Sequence, residues 1–160
     1  MPGTRGEVVA VWVVSASGGL SYAHSTSAGA KAFLPTNERL RLASLVHSLH
    51  TVASSVSPVF PSPPSACALR SLSAGNLTVH VLKARTGPSF VAISSPPSSD
   101  PPPPRKQPAT AHSVLSRVYE AYADLVLKDP FHEEDMPIHN PHFDAAVSRI
   151  ASTAVGALLA

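Results

Sequence analysis

Apolar residues recur at helical spacing in one stretch near the middle of the chain. Five of them follow one another at intervals of three, four, three and four residues, namely Leu42, Leu45, Leu49, Val52 and Val56. That spacing places all five on one stripe of an α-helix. Thr36 or Asn37 can cap its N-terminus, and Pro58 ends it. We therefore predict a long helix over residues 36–57.

The predicted helix is apolar on two sides. Ala43, Val46 and Ala53 widen the stripe, and only a strip near Arg39 and His50 is plainly polar. Such a helix needs a sheet on one side. Its other side is covered either by another protein or by a later helix of the same chain.

Strands are predicted on both sides of this helix. Residues 8–14 form a continuous, β-branched apolar run, which is typical of a strand buried on both faces. Gly18-Gly19 and the alternation of Leu20, Tyr22 and His24 predict a hairpin partner, with His24 as a solvated edge residue. Residues 69–72, 77–82 and 90–93 predict an antiparallel meander. The alternative for 8–14, a signal-peptide core, is disfavoured by the acidic Glu7 directly before it.

Two more helices complete the predicted order β-β-α-β-β-β-α-α. One runs from a Thr110 cap to about Lys128, and the other begins at Asn140-Pro141 with an apolar face that includes Phe143 and Val147. This order predicts an α+β fold, a single domain over 1–160 with an antiparallel sheet and helices on its faces. Proline-rich loops are predicted at 58–66 and 94–109. The second loop is interpreted as a solvated insert rather than a polyproline ligand.

The amino-acid composition excludes several classes of function. Charged residues make up 14% and the net charge is +2, with no long basic run, so nucleic acid is not expected as a partner. A single cysteine, Cys67, excludes an internal disulfide and has no neighbour that would activate it. The Asn76 glycosylation pattern is expected to stay unmodified, because no convincing export signal accompanies it.

Candidate chemistry is confined to one loop. Its possible metal ligands are His132, Glu133, Glu134, Asp135, His139 and His142. Their spacing lacks the i,i+4 histidine pair of a helical zinc site, so a solvated acidic loop is the preferred interpretation. No nucleophile elbow or phosphate-binding glycine loop occurs. We therefore expect no enzyme activity of the chain itself, no metal and no cofactor.

Several stretches together resemble the synbindin family, TRAPP complex subunit 4. They are NERLRLASLVHSLHTVASSVSP (37–58), VVSASGGLSY (13–22), LTVHVLKARTGPSFVAIS (77–94), and RVYEAYADLVLKDPF followed by EDMPI within 114–138. The pieces around His47 and the two proline-containing segments after the second helix are more specific than general longin-like similarity. The TRAPP subunit 1 family shares the helix pattern but fits the 136–138 segment less well.

The resemblance implies a longin-like (SNARE-like) domain with a five-stranded antiparallel sheet. It also implies a non-catalytic subunit of the TRAPP vesicle-tethering complex, with other small TRAPP subunits as partners and a Rab-type small GTPase bound through the assembled complex. Location would be cytoplasmic and peripheral at cis-Golgi and endoplasmic reticulum, with membrane association only through the complex. The alternative is a longin-domain trafficking regulator outside TRAPP.

The interface residues expected from the helix and from the resemblance are Arg41, Val46, His47, His50, Lys128, Asp129, Pro130, Phe131, Met136, Pro137 and Ile138. Two departures from the family pattern stand out. Residues 25–35 are too short for the PDZ-like insert of animal members, so partners of that insert are not expected. The proline run at 96–108 replaces what is usually a short link.

Overall fold

The structure is a computed structural model that describes residues 8–26, 34–56, 69–75, 77–94 and 107–156. Its elements in chain order are β1 (Val8–Val14), β2 (Leu20–Ser25), α1 (Thr36–Val56), β3 (Ser71–Ala74), β4 (Leu77–Lys83), β5 (Ser89–Ser94), α2 (Gln107–Leu125) and α3 (Pro141–Gly156). The predicted order of strands and helices is confirmed.

The five strands form one sheet in the order β2-β1-β5-β4-β3, and every neighbouring pair is antiparallel. The hairpin β1–β2 and the meander β3–β4–β5 were both predicted, and both are confirmed. They join through β1 and β5, where Trp12 lies opposite Val91. Helix α1 connects the β2 edge of the sheet to the β3 edge, so it crosses one face.

Strand β1 is buried on both faces, as its continuous apolar run predicted. Val11 and Val13 pack into the core cluster formed with α2 and α3. Trp12 and Val14 alternate with them and pack into a second cluster formed with α1. Successive side chains of a strand point to opposite faces. The sheet therefore lies between α1 on one side and the pair α2–α3 on the other.

Aromatic rings fill the α2–α3 side of the sheet. Phe90 of β5 meets Tyr122 of α2 edge-to-face with ring centroids 5.2 Å apart, and Tyr122 lies 6.2 Å from Phe143 of α3. Edge-to-face packing adds to the free energy gained by burying the rings. This aromatic packing holds the C-terminal part of α2 against the N-terminal part of α3, and the loop between them carries most of the candidate interface residues.

Some predicted boundaries were wrong. Strand β3 is Ser71–Ala74 rather than 69–72, because its register is set by pairing with β4, where Ser71 lies opposite His80. Helix α2 begins at Gln107, so Thr110 lies inside it rather than capping it. The helix ends at Leu125, after which the amides of Val126 and Leu127 both donate to the Tyr122 carbonyl and close the last turn.

The proline-rich loops lie almost entirely outside the described residues. Of the loop predicted at 94–109, Ser94 belongs to β5 and 107–109 belong to α2. The loop predicted at 58–66, Cys67 and Asn76 also lie outside the described part of the chain. Among the described helices, none is long and apolar enough to cross a bilayer.

Candidate partner-binding surfaces

Helix α1 rests on the sheet through Ala43 and Val46, which are both buried. They share a core cluster with Trp12, Val14 and Val91. The small side chain of Ala43 lets the helix backbone approach the sheet closely. Val46 is therefore a core residue of the chain, and its role as a partner contact stays a prediction.

A second face of α1, beside the buried one, is apolar and exposed. Leu45, Val52 and Val56 have exposed fractions of 49%, 59% and 76%. These residues belong to the stripe that the sequence pattern singled out, so part of that stripe is exposed, whereas Leu42 of the same stripe packs against the cluster on the sheet. We call Leu45, Leu49, Val52 and Val56 the outer face of α1. An exposed apolar face of this kind is typical of a protein–protein contact.

A row of hydroxyl side chains borders the outer face. Ser44, Ser48, Thr51 and Ser55 each donate a hydrogen bond to the backbone carbonyl four residues earlier, at 2.8–3.1 Å. Their hydroxyl protons are thus satisfied within the helix itself. The exposed surface of α1 is therefore divided into a polar strip, formed by these hydroxyl side chains, and the apolar outer face beside it.

The remaining candidates on α1 differ in position. Arg41 is exposed and lies 3.7 Å from Glu38. His47 and His50 are half-buried. The His47 ring covers the β1–β2 turn, since its atoms lie 3.1 Å from where a Cβ on Gly18 would stand. Burial, and then the charges of Lys83 and His47, lower the pKa of His50. A half-buried neutral imidazole fits the contact between helix and sheet, so only Arg41 of these three is out on the surface.

The segment after α2 forms a tight turn that holds Phe131 out in solvent. The Asp129 carboxylate accepts a hydrogen bond from the Phe131 amide at 3.0 Å, and the Asp129 carbonyl accepts one from the His132 amide at 3.2 Å. Pro130 lies between them and fixes its own φ angle. Phe131 is 87% exposed. Lys128 is also exposed and is paired with Asp124 at 2.7 Å.

The second candidate segment, Met136 to Ile138, covers the free edge of the sheet. The Ile138 amide donates to the Ser21 carbonyl of β2 at 2.9 Å, and the Ile138 side chain is buried in the core. Ser17, in the β1–β2 turn, donates to the Asp135 carboxylate at 2.8 Å. Ile138 therefore holds the segment on the sheet, and its role as a partner contact stays a prediction. Met136 and Pro137 remain exposed.

A groove of about 350 Å³ lies between the end of α2 and the start of α3. Its lining combines apolar, proline, histidine and acidic residues: Val126, Asp129, Phe131, His132, Met136, Pro137, Ile138, His139, Asn140 and Pro141. Asn140 shapes one wall, because its side chain caps α3 through the amides of His142 and Phe143 and donates to the Leu125 carbonyl. The predicted cap of the third helix is confirmed.

The acidic and histidine residues of this loop are spread out rather than gathered. The His132 ring packs edge-on against Tyr122 at 6.3 Å. Burial of Tyr122, and then the charge of the exposed Glu134, raise the pKa of the Tyr122 phenol. Across the described ranges, no group of three or more His, Cys, Asp or Glu side chains is arranged to hold a metal ion. The surface therefore offers shape, charge and exposed apolar side chains.

One cluster was missed from the sequence. His24 of β2 lies 3.5 Å from Asp144 and 3.5 Å from Ser148, both on α3, so it is not the solvated edge residue predicted. Tyr22 donates to the same Asp144 carboxylate at 2.5 Å. Asp, His and Ser recur in hydrolases, but Ser148 stands mid-helix and both histidine distances are at the outer limit of hydrogen bonding. The cluster fastens β2 to α3. The sequence signals for this cluster were the spacing of Tyr22 and His24 on one face of β2 and of Asp144 and Ser148 on one face of α3.

The sheet with one helix on one face and two on the other defines a longin-like α+β domain. The chain belongs to the Sybindin-like family, whose family model matches residues 8–154. The resemblance found in the sequence is thereby confirmed.

Two relatives illustrate the range of similarity. The trafficking protein particle complex subunit 4 of Homo sapiens is 32% identical over 111 residues, which cover 69% of this chain and 44% of the human protein. The subunit 4 of Dictyostelium discoideum is 29% identical over 140 residues, covering 88% of this chain and 93% of that protein. The aligned part thus spans less than half the length of the mammalian relatives and nearly all of the Dictyostelium protein.

Proposed function

We propose that this chain is a non-catalytic subunit of the TRAPP vesicle-tethering complex. In this role it supports transport from endoplasmic reticulum to Golgi and nucleotide exchange on an early-secretory Rab GTPase. It acts in the cytoplasm, peripherally at cis-Golgi and endoplasmic reticulum membranes, and reaches them only through the complex. Membership of the Sybindin-like family and similarity to subunits named for the trafficking protein particle complex support this role.

The observation that carries the proposal is the outer face of α1. A helix that exposes Leu45, Val52 and Val56 while Ala43 and Val46 hold it on the sheet has an apolar surface that no described part of the chain covers. Burying such a surface against another subunit stabilises an assembly by about 25 cal/mol per Å² of apolar area before the costs of association. We therefore place the contact with a neighbouring TRAPP subunit on this face, with Arg41 at its margin.

The chain contributes to exchange through surface complementarity. Small GTPases hold nucleotide through phosphate and Mg²⁺ contacts, so an exchange factor stabilises the GTPase state in which those contacts are broken. That work requires no general acid or base. The exposed residues of the loop after α2, Lys128 to Phe131 with Met136 and Pro137, are the proposed contribution to this surface.

Charge placed on the outer face of α1 tests the assembly. The tagged chain is co-expressed with the other small TRAPP subunits, with Leu45→Glu and Val52→Glu introduced together. Two carboxylates buried without partners cost several kcal/mol, so we expect binding to weaken by at least about a hundredfold and co-purification to be lost. The measurement is subunit stoichiometry after affinity and size-exclusion chromatography.

A matched control lies one residue earlier on the same helix. Ser44→Glu with Thr51→Glu repeats the same spacing and the same added charge on the hydroxyl row. This variant should assemble and should stimulate nucleotide release from the Rab GTPase as the unmodified complex does. If the Leu45→Glu and Val52→Glu variant assembles equally well, the contact lies elsewhere on the chain.

A further inference from the structure

The groove between α2 and α3 has an apolar floor and two exposed apolar side chains at its rim. Val126 and Ile138 are buried beneath it, and Phe131 and Met136 stand at its rim with 87% and 45% of their surfaces exposed. An aromatic ring this exposed contributes almost nothing to the core. Aromatic residues and methionine are enriched at the core of protein interfaces relative to the rest of the protein surface.

The rim is held in place before any partner arrives. The Asp129 carboxylate bonds the Phe131 amide, and the Glu133 carbonyl accepts from the Met136 amide at 3.1 Å. On the far side, Asp135 is bonded to Ser17 and Ile138 to Ser21, so the segment is fixed to the β1–β2 hairpin. A surface that is already ordered loses little conformational entropy on binding. Exposed apolar side chains on an ordered backbone therefore indicate that a partner binds in this groove.

Charge indicates what that occupant is. Residues 124–140 contain five carboxylates and one lysine, a net charge of −4. Lys128 is already paired with Asp124, whereas Glu133 and Glu134, which lie between Phe131 and Met136 in the chain, are both exposed. A positively charged partner surface would be attracted to this rim, and an acidic one would be repelled. A guanidinium could also stack on the exposed ring of Phe131.

We propose that this groove docks a basic segment of a partner protein, which inserts one apolar side chain between Phe131 and Met136. Lysine or arginine residues on either side of that side chain lie against Glu133 and Glu134. The proposal rests on the proposed function, since the partner is a protein met by the assembled complex. It adds to the proposed exchange surface the kind of partner segment that this surface binds, and it treats Ile138 as part of the buried floor of the groove.

Photo-cross-linking in the assembled complex tests the docking. A benzophenone-bearing phenylalanine replaces Phe131, which preserves an aromatic ring at the rim, and the purified complex is irradiated with and without the Rab GTPase. We expect a cross-link to one peptide of a subunit or of the GTPase that carries lysine or arginine residues. The same amino acid in place of Leu127, which is exposed but does not line the groove, should give no cross-link to that peptide.

A second experiment tests whether the acidic side chains contribute to the docking. Glu133→Gln with Glu134→Gln should lower the yield of the cross-link at least about fivefold at low salt, and high salt should remove the difference. Glu120→Gln, an exposed carboxylate of α2 outside the groove, should leave the yield unchanged. A yield insensitive to both salt and neutralisation, or a cross-linked peptide without basic residues, would overturn the proposal.

The outcomes separate the two proposals. If the chain does not co-purify with TRAPP subunits, the proposed function fails, and the docking proposal fails with it. If the complex assembles and promotes exchange but residue 131 forms no cross-link, the docking proposal alone is wrong.

Discussion

At the scale of single residues, the β1–β2 turn is a constrained position near the candidate surfaces. Gly18 has φ +92°, a conformation that side-chain-bearing residues rarely adopt, and the His47 ring lies 3.1 Å from where its Cβ would be. Gly75 also has a positive φ, +57°, but nothing lies within 4 Å of its Cβ position. The two glycines therefore separate backbone strain from crowding.

Alanine at each glycine should show that difference. We expect Gly75→Ala to lower the free energy of unfolding by about 1 kcal/mol and Gly18→Ala by about twice as much, measured by urea denaturation of the full chain. Adding His47→Ala to Gly18→Ala should cost less than the sum of the single changes, because the crowded ring is gone. Additive effects would mean that His47 does not rest on the turn.

At the scale of elements, α3 is tied to the edge strand β2 by polar contacts added to ring packing. Tyr22 donates to Asp144, and its ring meets Phe143 at 4.9 Å. Burial, and then the hydrogen bond and charge of Asp144, raise the pKa of the Tyr22 phenol well above its ordinary value of 10.0. The folded chain thus keeps this proton when the unfolded chain has lost it. The stabilisation that comes with this raised pKa is therefore fully present below pH 10, and it is lost as the pH rises further.

Tyr22→Phe keeps the ring and removes the hydroxyl. We expect the free energy of unfolding to fall by about 1 kcal/mol near neutral pH, since Asp144 is largely exposed and the bond is partly replaced by water. Above pH 10 the variant should lose less stability than the unmodified chain does. Urea midpoints at neutral and alkaline pH measure both effects.

Tyr119→Phe is the matched control for that change. The Tyr119 ring packs on Phe90, and its hydroxyl forms no hydrogen bond with any described residue. This variant should be nearly neutral in stability. Equal losses in both variants would show that the Asp144 bond contributes nothing.

At the scale of the whole molecule, apolar surface and charge are both unevenly distributed. Described residues up to Ser94 carry five lysines or arginines and one glutamate, a net charge of +4, while those from Gln107 onward carry seven acidic and three basic residues, a net charge of −4. The outer face of α1 belongs to the first part, and the acidic loop between α2 and α3 belongs to the second. Both features favour association of the chain with other proteins or with itself.

The isolated chain should therefore self-associate in a concentration-dependent manner. Sedimentation velocity should show larger species that persist at high salt, because apolar burial is not screened, and Leu45→Glu with Val52→Glu should shift them toward monomer. Ser44→Glu with Thr51→Glu should not. Association that disappears at high salt would instead point to the opposite charges as its cause.

Local patterns in the sequence determined the elements and part of the surface. The three-and-four spacing of α1 and the alternation in β4 depend only on helix and strand periodicity, so the element order and the existence of an apolar stripe could be predicted. The cap of α3 by Asn140 is equally local, because the bonded amides lie two and three residues away. These features need no knowledge of what packs against them.

Tertiary structure decided which side of each element meets which neighbour. The pairing of β1 with β5 and the close packing of Ala43 bury Val46 and leave Leu45, Val52 and Val56 of the predicted stripe exposed. Ile138 was drawn into the core by a bond to Ser21, and His24 was drawn onto Asp144, across 120 residues of chain. Contacts between such distant residues depend on how the sheet closes, which no local period encodes. The sequence therefore predicted that a binding surface exists, and only the fold decided which residues it exposes.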